Sequence, residues 1–138
     1  MAKSKTDFSE DEIREQISKA SKRSEEYAND IDKFEDLARD FENKLKKIPG
    51  VGEYLSDVAV LVSMARAYIK KEYTTVSWAT IAIAIAGIVY VVNPMDLLPD
   101  MIPFVGYLDD GAVMAAVLKM IHDDLKQYKE WQKQQGRR

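Results

Sequence analysis

Apolar positions in the first third of the chain advance in alternating steps of four and three. The series Ile13, Ile17, Ala20, Ser24, Tyr27, Ile31, Phe34, Ala38, Phe41, Leu45 and Ile48 forms a heptad seam. It is sustained for about five repeats, enough for coiled-coil-like packing. The residues between are almost all charged, so the seam is a narrow stripe on a solvated helix. Ser9-Glu10-Asp11-Glu12 supplies a capping-box start, with Ser followed three residues later by Glu. An unbroken helix here would be about 55–60 Å long, too long for one small domain to cover. It must bend back or meet another chain; Asn29-Asp30 offers a break, and Ala20 and Ser24 weaken the first half of the seam.

Pro49-Gly50-Val51-Gly52 ends this region as a turn. A second amphipathic helix follows, with Leu55, Val58, Leu61, Val62, Ala65, Tyr68 and Ile69 on one face and Lys70 and Lys71 at its C-terminal end, where cations complement the helix dipole. From Val76 to Val92 no residue is charged. The Ile-Ala alternation there admits a strand, but the length, the alanine content and the helical neighbours predict a helix. A helix apolar on every side is either the buried centre of a bundle or in a membrane. Asn93-Pro94-Met95-Asp96 reads as a fresh helix start, and Pro99 and Pro103 keep the following stretch short. Asp109-Asp110 caps a last helix whose inner face is Val113, Ala116, Val117, Met120, Ile121, Leu125 and Tyr128. These patterns predict an all-α helical bundle: a long N-terminal amphipathic helix and an apolar C-terminal helical hairpin joined by a Pro/Asp-rich connection. A single domain is expected over residues 1–138, comprising a heptad-patterned region at 9–48, a helical domain at 49–131 and a frayed tail at 132–138.

Composition narrows the chemistry. The chain has 138 residues, 46% of them hydrophobic, and no cysteine, which excludes disulfides, thiolate metal sites and cysteine nucleophiles. Met1 to Asp40 is charged throughout with no apolar signal region, so a cytoplasmic location is expected. The formal charge is -3, and no Lys or Arg lies between Lys71 and Lys119. That gap makes one end of the molecule apolar and acidic, the opposite of a nucleic-acid surface. Ile48-Pro49-Gly50-Val51-Gly52 looks like the turn of a helix-hairpin-helix DNA-binding motif, but Glu53 and Asp57 follow it and would oppose a phosphate. Nucleic acid is not the expected partner.

Tyr90-Val91-Val92-Asn93-Pro94-Met95-Asp96-Leu97-Leu98-Pro99-Asp100-Met101-Ile102-Pro103, followed by Gly106-Tyr107-Leu108-Asp109-Asp110, is a specific pattern. From about Ile48 to Trp131 the chain resembles the YkvA-like family of small bacterial helical proteins, a domain of unknown function. Tyr90, Pro94, Asp96, Leu97, Pro99, Asp100, Pro103, Gly106, Asp109 and Asp110 carry the match, and Tyr68 to Tyr73 also looks like that family. The resemblance implies an all-helical fold built on a hairpin connected by the Pro/Asp segment. Family members are often described as membrane-associated, and no enzymatic activity follows from the match.

Besides that turn, three features are candidates for function. Asp96, Asp100, Asp109 and Asp110 would bind Mg²⁺, Mn²⁺ or Ca²⁺ if they converged, although each also suits a helix cap or a proline-freed backbone donor. Such a site would make the chain a divalent-cation-binding protein or a metal-dependent hydrolase. The uncharged stretch 76–92, with Trp78 and Tyr90 near its ends, suits either a bundle core or membrane contact. The seam residues Ile31, Phe34, Phe41 and Leu45 would pack against the chain's own helices, or against a second copy or a partner helix. His122 is the only histidine, and no Gly-x-Ser-x-Gly, phosphate-binding loop or His-Glu-x-x-His occurs. These absences argue against the common hydrolases and nucleotide enzymes. The function expected is that of a helical scaffold or interaction module, with membrane association implied by the family.

Overall fold

The computed structural model describes residues 21–47, 51–93 and 110–136. Six α-helices and one 3-10 turn account for most of them: α1 (Ser21–Ala28), α2 (Ile31–Leu45), the turn Val51–Tyr54, α3 (Leu55–Ile69), α4 (Trp78–Val92), α5 (Asp110–Met120) and α6 (His122–Gln134). No strand occurs among the described residues.

The uncharged stretch is α4, and it lies at the centre. Ser77 caps it, its hydroxyl accepting from the Thr80 amide at 3.3 Å. Eleven of its fifteen residues are buried, and α1, α2, α3 and α5 all touch it. Ile81, Ile85 and Ile88 are fully enclosed, each worth about 1.5–3 kcal/mol relative to exposure.

The seam breaks where the sequence offered a break. Asp30 leaves helical backbone at φ -147°, and its side chain accepts from the Lys33 amide at 3.1 Å, opening α2. The Asn29 side chain donates to the Glu25 carbonyl at 3.0 Å and closes α1. With the turn in place, both short helices pack on α4. Phe34, Ala38, Phe41 and Leu45 are buried in the chain's own core, and Leu37 joins them from beside the seam. Ser24, a weak point in the heptad pattern, is fully buried and donates to the Ala82 carbonyl at 2.9 Å. Its small side chain lets α1 approach the α4 backbone.

On the other side of α4 the expected hairpin forms. A methyl group added at Gly87 would stand 2.8 Å from Val117 Cγ2 and 3.2 Å from Met114 Cε, so the missing side chain admits α5. The last helix is not continuous. At Ile121 the backbone turns to φ -111° and ψ 18°, separating α5 from α6. The bend lets Met114 and Val117 meet α4 while Tyr128, farther on, reaches Ser63 of α3. Met114 and Leu118 join the core, whereas Ala116 and Met120 are only partly buried. Gln132, expected in a frayed tail, donates to Ser63 and Tyr128, and the helix runs on to Gln134.

Helix α3 departs from its expected face. Met64 and Ala67 are buried beside Val58, Leu61, Val62 and Ala65, while Leu55 is 49% exposed. The reason is that α3 meets α2, α4, α5 and α6, so it is covered on more sides than a two-layer helix, and its first residue projects beyond them. At its other end Lys71 has φ 65°. There the Lys71 amide donates to the Tyr68 carbonyl and the Glu72 amide to the Ala67 carbonyl, both at 2.9 Å. This is a Schellman closure with lysine where glycine is usual.

Two stability outcomes are expected from denaturant unfolding. Gly87→Ala gains about 1 kcal/mol of helix propensity but overpacks against Val117 at a cost of about 1–3 kcal/mol. A net loss of about 1 kcal/mol is expected, and unchanged stability would mean that α5 yields freely. Lys71→Gly relieves about 1–2 kcal/mol of left-handed strain against glycine's entropy. Stability should rise by about 0.5–1 kcal/mol; a fall would show that the lysine side chain makes a contact outweighing the strain.

Candidate functional site

The two ends of the predicted metal cluster have different standing. Asp96, Asp100 and Asp109 lie outside the described residues, as do Pro94, Leu97, Pro99, Pro103 and Gly106 of the family pattern. Asp110 is the first residue of α5. Among the described residues no group of three or more His, Asp or Glu is placed to hold a metal ion. Tyr90 is 4% exposed and belongs to the core. Trp78 is half-buried and tilts against Tyr68 with ring centroids 6.3 Å apart. The seam residues Phe34, Phe41 and Leu45 are buried against the chain's own helices, with Ile31 packed at their edge.

Polar ties fix how the helices sit. The Arg66 guanidinium on α3 grips the Glu35 carboxylate on α2 with two hydrogen bonds of 2.7 Å. That grip holds the Glu35 carboxyl below its usual 4.5. Thr80 on α4 donates to Asp124 on α6 at 2.7 Å, so Asp124 is a structural acceptor. Tyr128 shares a 2.6 Å hydrogen bond with Ser63. It also stacks on Trp131 at 5.6 Å and receives the edge of Tyr73 at 5.0 Å. Together these contacts lock α6 against α3 and α4.

Locking that face turns another outward. Lys119, His122, Lys126, Lys129 and Lys133 follow one another in steps of three and four, and all are exposed. Beside this row runs a groove of about 690 Å³ between the start of α3 and the α5–α6 surface. Its apolar side is made by Tyr54, Ala115, Leu118 and Leu125, and its rim by Lys119, His122, Lys126 and Lys129. Asp57 reaches Lys129 across it at 3.5 Å, a long, exposed contact of little energy. A second cleft, about 530 Å³, lies between α1 and the α3–α4 corner and mixes Glu25, Lys71 and Trp78. The row is present in the sequence as steps of three and four, although it crosses from α5 to α6 at Ile121. It escapes a charge average because Asp123, Asp124 and Glu130 are interleaved with it.

The comparisons with known proteins bear on the same helices. A family model described as a protein of unknown function (DUF1232) matches residues 80–116. The "Uncharacterized membrane protein YkvA" of Bacillus subtilis (strain 168) is 30% identical over 80 residues, which cover 58% of this chain and 76% of that protein. The chain belongs to the YkvA-like family. The residues matched by the family model begin at Thr80, the residue tied to Asp124, and include Gly87 and Met114 at the α4–α5 contact. The family signature thus covers the hairpin that builds the core. No solved structure matches.

The Glu35–Arg66 pair makes a pH prediction. A carboxyl whose folded pKa is depressed stabilises the fold above its unfolded value, and that contribution is lost as pH falls through the folded value. Both side chains are about one-third exposed, at 34% and 36%, so solvent screening limits the pair to roughly 1 kcal/mol. As pH falls from the ordinary glutamate value of 4.5 downward, the stability of Glu35→Gln should fall less steeply than that of the unaltered chain. Parallel curves would show that the grip contributes nothing.

Proposed function

We propose that this chain is a non-catalytic helical module that associates with the surface of a membrane without spanning it. The observation that carries this reading is the burial of α4. The most apolar helix of the chain is enclosed by α1, α2, α3 and α5, and its fifteen residues would extend only about 22 Å against a hydrocarbon thickness of about 30 Å. No helix among the described residues is long and apolar enough to cross a membrane. The relative is nevertheless named a membrane protein. Surface attachment reconciles the two, because it leaves the core intact. Inserting α4 would require opening a core whose centre is Ile81, Ile85 and Ile88, and the polar ties at Ser24, Thr80 and Asp124 would break with it.

As a scaffold, the module offers its outer faces to partners, since the described part of the heptad seam is used internally. Fractionation of natively expressed protein tests the proposal. The chain is expected with membranes at low salt and released by a high-salt or alkaline carbonate wash. Retention after both washes would mean insertion, and absence from the membrane fraction at low salt would remove the membrane from its function.

A further inference from the structure

We propose that the cleft between α1 and the α3–α4 corner binds a zwitterionic phosphoamine, the chemistry of an ethanolamine or choline phospholipid headgroup. A lipid source for that headgroup rests on the membrane-surface reading above; the chemistry of the cleft does not. The cleft, of about 530 Å³, has Tyr68, Ile69 and Trp78 as half-buried lining and Glu25 and Lys71 as exposed lining. An apolar wall with a few polar groups, at this size, is the make-up of a small-molecule site. Glu25 and Lys71 carry opposite charges into one cleft, and among the described residues neither side chain is engaged in an ion pair. A ligand of a single sign would be repelled by one of them. A ligand carrying both signs satisfies both.

Each end of such a ligand has its partners. The ammonium end meets the Glu25 carboxylate and the rings of Tyr68 and Trp78, whose centroids are 6.3 Å apart at a tilt of 34°; a cation is attracted to aromatic rings as well as to the carboxylate. The phosphate end meets the Lys71 ammonium and the Thr74 hydroxyl, donors suited to an anionic oxygen. Lys71 is also strained. Among the described residues it is the one non-glycine with positive φ, at 65°, in a helix closure where glycine is usual. Strain of this kind persists at ligand clamps, and an ammonium is what glycine would not supply. Both charges are exposed, so binding should be modest and weakened by salt.

Titration of the full chain with glycerophosphoethanolamine, read from the indole N–H resonance of Trp78, tests the site; loss of the resonance in Trp78→Phe identifies it. The resonance should move and saturate. Ethanolamine and glycerol phosphate, each carrying one of the two charges, should bind about tenfold more weakly, as should Lys71→Gly and Glu25→Gln titrated with the whole headgroup. Lys71→Gly is expected above to stabilise the fold, so its loss of binding would not come from unfolding, and thermal unfolding checks both variants. Lys70→Gln, altered next to the cleft but outside its lining, should bind as the unaltered chain does. No saturable shift, equal binding of glycerol phosphate, or full binding by Lys71→Gly and Glu25→Gln would overturn the site. Co-sedimentation with vesicles of phosphatidylcholine and phosphatidylethanolamine separates the two sources of the headgroup. The unaltered chain should sediment with them more than Lys71→Gly does. Equal sedimentation would overturn the cleft as the lipid contact and leave surface attachment standing. Binding of the soluble headgroup without the vesicles would support the site and assign it to a free phosphoamine.

Discussion

A helix without charge on any side must be covered on every side, and the rest of this structure is arranged around that demand. Helix α4 has no polar face to offer water, so leaving it exposed would forfeit the largest block of apolar burial in the chain. Four helices enclose it. The N-terminal segment can supply two of them only because Asn29 and Asp30 interrupt it. A straight rod would lie along α4 once and extend past it; two short helices joined by a turn can wrap.

Close approach is the second condition, and it is met at small residues. Ser24 brings α1 to the α4 backbone, and Gly87 admits Val117 and Met114 of α5. Hydrogen bonds then fix register where apolar packing alone would tolerate sliding. Ser24 to Ala82, Thr80 to Asp124 and Ser63 to Tyr128 each join helices far apart in sequence. A bond of this kind contributes only about 1 kcal/mol net, but leaving its partner buried and unsatisfied would cost more. Their value lies in discriminating this arrangement from near alternatives.

Enclosing the apolar helix has a functional consequence. A family relative carries the name of a membrane protein, yet the segment most suited to lipid is occupied within the protein. In the surface attachment proposed above, contact with a membrane falls to the outer faces. The same contacts that seat Tyr128, Trp131 and Asp124 inward leave the lysines of α5 and α6 outward. Inner packing and outer charge are two sides of one helix orientation.

The sequence by itself determined the helical character of each segment, the break at Asn29-Asp30 and the family, because these follow from spacing, turn residues and a linear motif. Periodicity also showed Phe34, Phe41 and Leu45 to be on one face, but not whether that face met the chain's own α4 or another chain. That choice is decided by three-dimensional packing, since a heptad stripe specifies a partner surface without saying whose it is. The burial of Met64 and Ala67, the exposure of Leu55 and the bend at Ile121 likewise depend on how many neighbours each helix acquires. The lysine row was present in the residue spacing. Only the tertiary structure set it beside a groove, because that requires α3 to pack against α6 from a distant part of the chain.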